Sequence, residues 1–340
     1  MSVQSLGKEI RVGSVAVPGR VWIAPMTGVT DLAFREVAAG LGASYLATEM
    51  VACADFAQGR PDVVRRAAVG EGLPLMVVQL VGREPRWITA GARLAQAAGA
   101  AIIDLNFGCP AKEVTGHLSG SALMREPVLA QSLVAAAVDA VDIPVTVKMR
   151  LGWDETNRNV PEIAARAQAA GARAITVHAR TRRQFYSGVA DWTAVRRVKA
   201  EVDLPVIVNG DILDRDSASA ALEASGADGV MIGRAAVGRP WIAACVEAGL
   251  DGRTFAEPDA EERAAIVADH LQASIRCSGP VHGVRLFRKH LAAYIEGAPS
   301  SGTPARRREA RARLCRLDAA GDIIDGVYDL WSVQALRRAA

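Results

Sequence analysis

The sequence predicts an α/β fold, in which a TIM (β/α)8 barrel over residues 1–251 is followed by an all-helical domain over residues 252–340. Short apolar runs alternate with alanine-rich helical stretches from Val21 to Arg234, which is the pattern of repeated βα units. Eight such runs occur, the number that a closed barrel needs. No G-x-G-x-x-G motif follows the first run, and this disfavours a doubly wound dinucleotide-binding sheet.

The strands are assigned from short runs rich in β-branched residues that end in polar or glycine residues. Three helix-to-strand junctions carry a glycine, Gly99, Gly171 or Gly226, at the point where the preceding helix must end. The eight predicted strands cover residues 21–25, 44–48, 74–80, 101–105, 144–149, 174–178, 205–209 and 229–233.

The pattern changes after Gly249, and the remaining segments read as helical. Asp259 and Glu262 have the spacing of a capping box that opens one helix, and a second helix is predicted to start near Val281. A Gly/Pro/Ser loop follows at 297–304. Beyond it lies an arginine-rich segment that contains Arg306, Arg307, Arg308, Arg311, Arg313 and Arg316. The smaller domain is therefore the basic one.

Composition limits the class of protein. The net charge of +3 is too small to mark a general polyanion binder, so the local arginine segment carries more information than the sum. The five cysteines are scattered without a C-x-x-C pair, which fits a reducing compartment. We find neither a signal peptide nor a run of about 18 apolar residues, and we expect a cytoplasmic protein without a membrane segment. No His/Cys/carboxylate spacing indicates a metal site.

Polar residues follow the predicted strands where a barrel places its functional groups, at the carboxyl ends. The loops after strands seven and eight commonly bind phosphate in this fold, and a phosphorylated cofactor is implied. Lys148 at the end of the fifth predicted strand and Gln79 at the end of the third suit the polar edge of a flavin, and flavin mononucleotide (FMN) fits a single phosphate site. The residues are Pro25, Met26, Thr27, Gln79, Asn106, Cys109, Lys148, Arg150, His178, Arg180, Asn209, Gly210, Asp211, Gly233 and Arg234.

Cys109 lies on a tight turn, Asn106-Phe107-Gly108-Cys109-Pro110, directly after an apolar strand. A free thiol has a pKa near ~8.5, so at neutral pH it can donate a proton and, when ionised, can act as a nucleophile. The residues alone leave both roles open. A small buried cysteine without chemistry is the plainer alternative.

Several strings occur in the order found in one known family: APMTGVTDLAFR, VQLVG, DLNFGCPAKEV, VKMRLGW, VHARTRRQFYSGVADW, VNGDI and MIGRAAVGRPW. Together they resemble the tRNA-dihydrouridine synthases, most closely the bacterial B-type branch that was once described as a nitrogen-regulation protein. The resemblance spans residues 18–245 and continues more loosely into the helical segment RKHLAAY. Glu113 after Lys112 departs from the second lysine that family members often have there.

The resemblance implies that NADPH reduces bound FMN, that reduced FMN passes hydride to carbon 6 of a tRNA uridine in the D-loop, and that Cys109 protonates carbon 5. It implies that Asn106 reads the uracil edge. We also expect Arg180 and the cluster Arg285, Arg288 and Lys289 to contact the RNA. The implied FMN contacts are Pro25, Met26, Thr27, Gln79, Lys148, His178, Asn209, Gly210, Asp211, Gly233 and Arg234.

Alternatives remain for these side chains. Lys148 could extend to the barrel rim, His178 could be a core histidine, and the arginines from Arg306 to Arg316 could form a solvated helix face. Trp153, Trp192 and Trp241 suit packing better than base stacking. Two other functions stay open: an FMN-dependent reductase of a free pyrimidine, resembling dihydroorotate dehydrogenases, and an RNA-binding regulator without catalysis.

Overall fold

The computed structural model describes residues 8–70, 73, 75–298 and 303–331. Eight parallel strands close into a barrel, since β3 pairs with both β4 and β11 and the ladder runs unbroken through the others. The strands are β1 (Ile10–Val12), β2 (Val15–Val17), β3 (Val21–Ile23), β4 (Leu46–Ala47), β5 (Val51–Ala52), β6 (Met76–Val81), β7 (Ile102–Phe107), β8 (Val145–Arg150), β9 (Ala174–His178), β10 (Val206–Asn209) and β11 (Gly229–Ile232).

The barrel confirms all eight sequence-predicted strands as β3, β4 and β6 to β11, apart from Pro74, which lies outside the described residues. β9 has the predicted bounds. The short strand β5 was not predicted; it pairs with the end of β6 beyond the segment that β4 covers. A break between β4 and β5 leaves room for Thr48, whose hydroxyl accepts from the Gln79 peptide N–H at 3.0 Å.

The helices that cover the barrel follow the strands, and longer ones form the C-terminal region. Gly99, Gly171 and Gly226 have φ values of 95°, 98° and 67°, so all three predicted helix stops are in left-handed or related backbone that favours glycine. The helices are α1 (Leu32–Gly40), α2 (Cys53–Ala57), α3 (Pro61–Arg66), α4 (Pro85–Ala97), α5 (Lys112–Gly116), α6 (Pro127–Val138), α7 (Val160–Ala169), α8 (Trp192–Glu201), α9 (Arg215–Ser225), α10 (Ile242–Leu250), α11 (Ala260–Ser278), α12 (Pro280–Glu296), α13 (Pro304–Leu314) and α14 (Ala320–Trp331).

An antiparallel hairpin, β1–β2, precedes the barrel and was not predicted because its strands have only three residues each. Its apolar side chains pack with residues of the barrel interior, among them Trp22, whose indole stacks on Tyr45 with ring centroids 4.0 Å apart. The hairpin turn at Gly13 lies beside the starts of β8 and β9, at the amino ends of the strands. The hairpin therefore closes the end of the barrel opposite the functional loops.

The described part of the C-terminal region consists of helices joined by loops, as the sequence predicts. Asp259 and Glu262 form the predicted capping box, each side chain accepting from the other's peptide N–H at 2.9 Å. α12 begins at Pro280, one residue before the predicted start. The barrel's last helix ends at Leu250 and α11 begins at Ala260; the boundary at residue 252 stays a prediction. No helix in the described ranges has both the length and the apolar character needed to cross a membrane.

Two buried histidines join the helical region to the barrel. His270 of α11 and His290 of α12 have ring centroids 4.5 Å apart, and His290 stacks on Phe34 of the barrel helix α1 at 5.6 Å. His270 shares a hydrogen bond of 3.1 Å with the Tyr294 hydroxyl, and His290 Nε2 lies 4.0 Å from the carboxylate of Asp31. Both rings are almost fully buried, and burial favours neutral imidazole.

With Asp31, the two histidines bring three potential ligand atoms within 4.8 Å of one another, although the sequence indicated no metal site. The proximity of these three residues could not be predicted from the sequence, because they come from distant parts of the chain. Lys289 adds positive charge to this region and lowers the histidine pKa values further. The same charge opposes a bound cation, so we interpret the cluster as a packing contact between the two parts of the chain.

Burial lowers the pKa of His270 to about 3, and burial also lowers that of His290 well below its ordinary value. The unfolded chain protonates both rings below pH ~6.5, whereas the folded protein keeps them neutral. The free energy of unfolding therefore falls as the pH drops from ~6.5 towards 3, by up to about 1.4 kcal/mol per pH unit for each histidine. Urea midpoints measured at neutral and acidic pH check this.

The exposed His282 provides a matched control on the same helix, α12. We expect His290→Gln to flatten the pH dependence of the urea midpoint and His282→Gln to leave it unchanged. An equal pH dependence in both variants would contradict the assignment of the acid sensitivity to the buried pair.

Candidate active site

A cavity lies at the carboxyl ends of the strands, where the sequence places its polar residues. His178 of β9 lies opposite Asn209 of β10, and Lys148 of β8 lies opposite Thr176, two residues before His178. Lys148 Nζ donates to Asn209 Oδ1 at 3.0 Å, and Asn209 Nδ2 donates to the Met231 carbonyl at 2.7 Å. The other predicted cofactor residues that line this cavity are Pro25, Met26, Gly210, Asp211, Gly233 and Arg234.

The loops after β10 and β11 form one end of the cavity. Gly210 has φ of 115°, and a Cβ atom there would come within 3.1 Å of the His178 ring, so only glycine fits without a shift. Arg234 keeps a guanidinium that is 66% exposed, 3.9 Å from the carboxylate of Asp211 and 4.9 Å above the Tyr186 ring. This end of the cavity combines open backbone with an accessible cation, which suits an anionic group.

Arg180 was predicted to bind substrate, but its guanidinium is only 2% exposed. It donates to both oxygens of Asp211, at 2.9 and 2.6 Å, and to the carbonyls of Ser187 and Gly188. Asp211, with φ of 55°, also accepts from the Ala190 peptide N–H. Arg180 therefore fixes the loop that carries Asp211 while it lines the cavity, and its contact with substrate stays a prediction.

The charges around the cavity shift its titratable groups. Burial lowers the pKa of Lys148 to about 8, with help from the positive charge of Arg150, while Asp104 acts in the opposite direction. Burial, together with Arg150 and Lys148, lowers the pKa of His178 well below its ordinary value. His178 is thus neutral at pH 7, and its Nε2 atom is buried without a hydrogen-bond partner among the described residues. That atom is available to a ligand in the cavity.

Cys109 lies on the loop after β7. Its peptide N–H donates to Asn106 Oδ1 at 2.9 Å, and its carbonyl accepts from the peptide N–H and hydroxyl of Ser121 at 3.0 and 2.8 Å. Gly120 has φ of 59°, and a Cβ atom there would lie 2.9 Å from the same carbonyl. Burial raises the pKa of the Cys109 thiol, whereas Arg150 and Lys148 lower it. The thiol is neutral at pH 7, the state that a proton donor requires.

Gln79 and Asn106 lie beneath the cavity rather than on its wall. Gln79 is fully buried and Asn106 is 7% exposed, and a hydrogen bond of 2.8 Å joins their amides. The predicted flavin contact of Gln79 and uracil contact of Asn106 stay predictions. In the structure both amides are already engaged with protein groups.

Thr27, the third residue of the predicted Pro25-Met26-Thr27 contact, points elsewhere. It lines a larger cavity between the barrel and helices α11 and α12. Lys289 lies on the same wall, close to Gly28. Glu49 accepts a hydrogen bond from the Gly28 peptide N–H, which ties this loop to the break between β4 and β5.

The three predicted RNA-contacting residues of α12 have different surroundings. Arg285 is exposed, whereas Arg288 donates to the Asp318 carboxylate at 2.6 Å and to the Leu317 carbonyl at 3.3 Å. Lys289 faces the larger cavity. The three side chains therefore do not form a single basic patch, and a contact of each with RNA stays a separate prediction.

Arg150 was named only as a strand-end residue, and the structure gives it a larger part. Its side chain is buried, and it donates to the carbonyls of Gly108, Thr181 and Phe185 at 2.8, 3.0 and 2.8 Å. It thereby joins the Cys109 loop to the loop after β9. The only sequence signal was an arginine at the end of a predicted strand, and its three carbonyl partners could not be foreseen from it.

Comparison with known proteins yields one family. A family model described as dihydrouridine synthase (Dus) matches residues 22–314. A protein named "Probable tRNA-dihydrouridine synthase" from Rhodobacter capsulatus is 48% identical over 292 residues, which cover 85% of this chain and 90% of that protein. The "tRNA-dihydrouridine synthase B" of Pseudomonas putida is 40% identical over 312 residues, covering 91% of this chain and 90% of that one.

Solved structures agree on the fold. Histamine dehydrogenase from Rhizobium sp. 4-9 superimposes with a TM-score of 0.59 at 14% identity, covering 97% of this chain and 64% of that chain. Morphinone reductase superimposes with a TM-score of 0.53 at 15% identity, covering 77% of this chain and 94% of that chain. At this identity the likeness concerns the barrel architecture alone.

Replacing Arg150 by methionine should release the two loops that it joins. Three carbonyls lose a charged donor, one of them in a buried and two in part-buried hydrogen bonds, and such bonds contribute about 1.5–3 kcal/mol each without being additive. We expect Arg150→Met to lower the melting temperature and to expose the loop at residues 180–188 to trypsin, with cleavage mapped by mass spectrometry. Arg166→Met, which removes an exposed pair with Glu162, is the matched control. Equal trypsin resistance in both variants would contradict the role of Arg150.

Proposed function

This chain belongs to the dihydrouridine synthase family, and we propose that it reduces the carbon 5–carbon 6 double bond of D-loop uridines in tRNA, with FMN as cofactor and NADPH as reductant. The observation that carries the proposal is the neutral Cys109 thiol on the loop beside a strand-end cavity suited to an anionic cofactor. The two relatives described above are named as tRNA-dihydrouridine synthases, and each matches most of this chain.

The residues of the strand-end cavity fit FMN. Arg234, with the open backbone of Gly210 and Gly233, would hold the phosphate. Lys148 Nζ and the unpartnered Nε2 atom of His178 would hydrogen-bond the ring system. FMN bound there would supply the two-electron chemistry that carries hydride equivalents from NADPH to carbon 6 of the uracil.

Cys109 completes the reduction by transferring its thiol proton to carbon 5, so that one hydride and one proton add across the double bond. The sulfur is left as a thiolate, which regains a proton from solvent. Arg150 and Lys148 lower the pKa of this thiol, which means that their charges stabilise the thiolate that the transfer leaves behind. Burial raises the pKa of the thiol and keeps it protonated before the transfer.

The helical region supplies the proposed contact with tRNA. Arg308, Arg311 and Arg313 of α13 are exposed, and Arg311 is also 3.3 Å from Glu296. Extracting a uridine from a folded tRNA costs a few kcal/mol, and phosphate contacts at a distance from the site offset that cost. A reductase of free pyrimidines would not need such a surface.

The decisive assay incubates the flavin-loaded protein with NADPH and unmodified tRNA and quantifies dihydrouridine by nucleoside mass spectrometry. Cys109→Ala should keep its flavin and oxidise NADPH while forming dihydrouridine about 10²–10⁴-fold more slowly, the usual contribution of a general acid. Cys245→Ala, a partly exposed cysteine elsewhere in the chain, is the control. Product on free uracil or orotate alone would favour the metabolic reductase. Neither product, despite NADPH-reducible flavin, would favour the RNA-binding regulator.

Neutralising exposed arginines of the tail should weaken tRNA binding and its dependence on salt. We expect Arg308→Gln, Arg313→Gln and Arg316→Gln together to reduce the log–log salt slope by about 0.7–0.9 for each phosphate that is no longer neutralised, measured by filter binding across a salt series. The control triple changes Arg11, Arg93 and Arg197, which are exposed on the β1–β2 hairpin and on outer barrel helices. An equal reduction of the slope in the two triples would contradict a tRNA surface at α13.

A further inference from the structure

A buried carboxylate lies inside the barrel below the site, and the proposed reaction gives it no part. Asp104 of β7 is 2% exposed. Its Oδ1 atom accepts from the Thr146 hydroxyl at 2.7 Å, and its Oδ2 atom accepts from Gln79 Nε2 at 2.7 Å. An acidic residue inside the barrel needs such partners, because burying a carboxylate without them costs several kcal/mol.

The contact with Gln79 continues to the loop that carries the reactive thiol. Asn106 Nδ2 donates to Gln79 Oε1 at 2.8 Å. At its other end, Asn106 Oδ1 accepts from the peptide N–H groups of Gly108 and Cys109 at 3.1 and 2.9 Å. Two side-chain amides thus connect Asp104 to the Cys109 turn, and we refer to Asp104, Gln79 and Asn106 as the amide relay.

Only one orientation of the two side-chain amides lets every hydrogen bond of the amide relay form. Peptide N–H groups can only donate, so Asn106 must turn its oxygen to the Cys109 turn and its nitrogen to Gln79. Gln79 then accepts with its oxygen, and its nitrogen requires an acceptor on the far side. Asp104 Oδ2 is that acceptor, and it accepts whether or not the other carboxyl oxygen carries a proton.

We propose that Asp104 is a positioning residue for the Cys109 thiol: by accepting from Gln79 it fixes the direction of the amide relay and so holds the Cys109 turn in place. Asp104 affects the thiol only through this turn, and it contacts neither the thiol nor the substrate. That the position of the thiol matters for catalysis rests on the proposed function. The direction of the hydrogen bonds in the amide relay does not depend on it.

A purely electrostatic role for Asp104 makes a different prediction. Its negative charge raises the pKa of the buried Lys148, so any substitution that removes the charge changes the field at the site. The test must therefore separate the loss of charge from the loss of a partner for Gln79. Asparagine and leucine at position 104 both remove the charge, but only asparagine offers Gln79 a hydrogen-bonding group.

The experiment starts from Asn106→Asp. This carboxylate still accepts from the turn, but it cannot donate to Gln79, so one acceptor faces another and the relay breaks. Adding Asp104→Asn lets every bond form in the reverse direction: the new amide nitrogen donates to Gln79 Oε1, and Gln79 Nε2 donates to the new carboxylate. Adding Asp104→Leu instead also returns the number of carboxylates at positions 104 and 106 to one, as in the wild type, but leucine provides no donor for Gln79 Oε1.

Three readouts are compared for the full-length, flavin-loaded proteins: the melting temperature, the rate of Cys109 alkylation by iodoacetamide across a pH series, and dihydrouridine formation. We expect Asn106→Asp to change the alkylation rate by about tenfold, equivalent to about 1.4 kcal/mol. We expect the Asp104→Asn/Asn106→Asp double variant to return both the melting temperature and the alkylation profile towards wild type, and Asp104→Leu/Asn106→Asp not to.

Equal rescue by asparagine and leucine would overturn the proposal in favour of charge alone, and rescue by neither would overturn it as well. Thr146→Val, which leaves the Asp104–Gln79 bond in place, should keep the wild-type alkylation profile; a profile like that of Asn106→Asp would also count against the relay. If the wild-type protein forms no dihydrouridine, the proposed function fails, while the melting and alkylation data still decide the role of Asp104.

Discussion

The guanidinium of Arg150 is the group on which the active end of the barrel depends. The ends of parallel strands bring loops together without fixing how those loops lie against one another. A single buried cation that donates to carbonyls of two loops supplies this constraint. A lysine could not replace it, because three carbonyls at different angles match the planar fork of donors that arginine presents.

The same cation sets the electrostatics of the site. Arg150 and Lys148 lie near His178 and Cys109. Burial, together with their positive charges, lowers the pKa of His178 and keeps it neutral, and the same charges oppose the effect of burial on the pKa of the thiol. Asp104 is the buried negative group that partly balances them. The site is thus a region of net positive potential, suited to an anionic cofactor and to the negative charge that proton transfer leaves on sulfur.

The barrel could be predicted from the sequence because its sequence signals are local: apolar runs, glycines after helices and polar residues at strand ends. The capping box at Asp259 is of the same kind, since its two members are three residues apart. The strands β1 and β2 were missed because three residues carry too little periodicity. The Arg180–Asp211 pair, the larger part played by Arg150 and the His270–His290 contact could not be foreseen, because each depends on loops or helices meeting in space.

The β1–β2 hairpin has a practical consequence for handling the protein. It fills the amino end of the barrel, and the strand-end cavity opens at the other end. A surface tether attached at the hairpin turn would therefore hold each molecule with its cavity directed into solution. Immobilised in that orientation, the chain could be presented with a macromolecular substrate without the support blocking the approach.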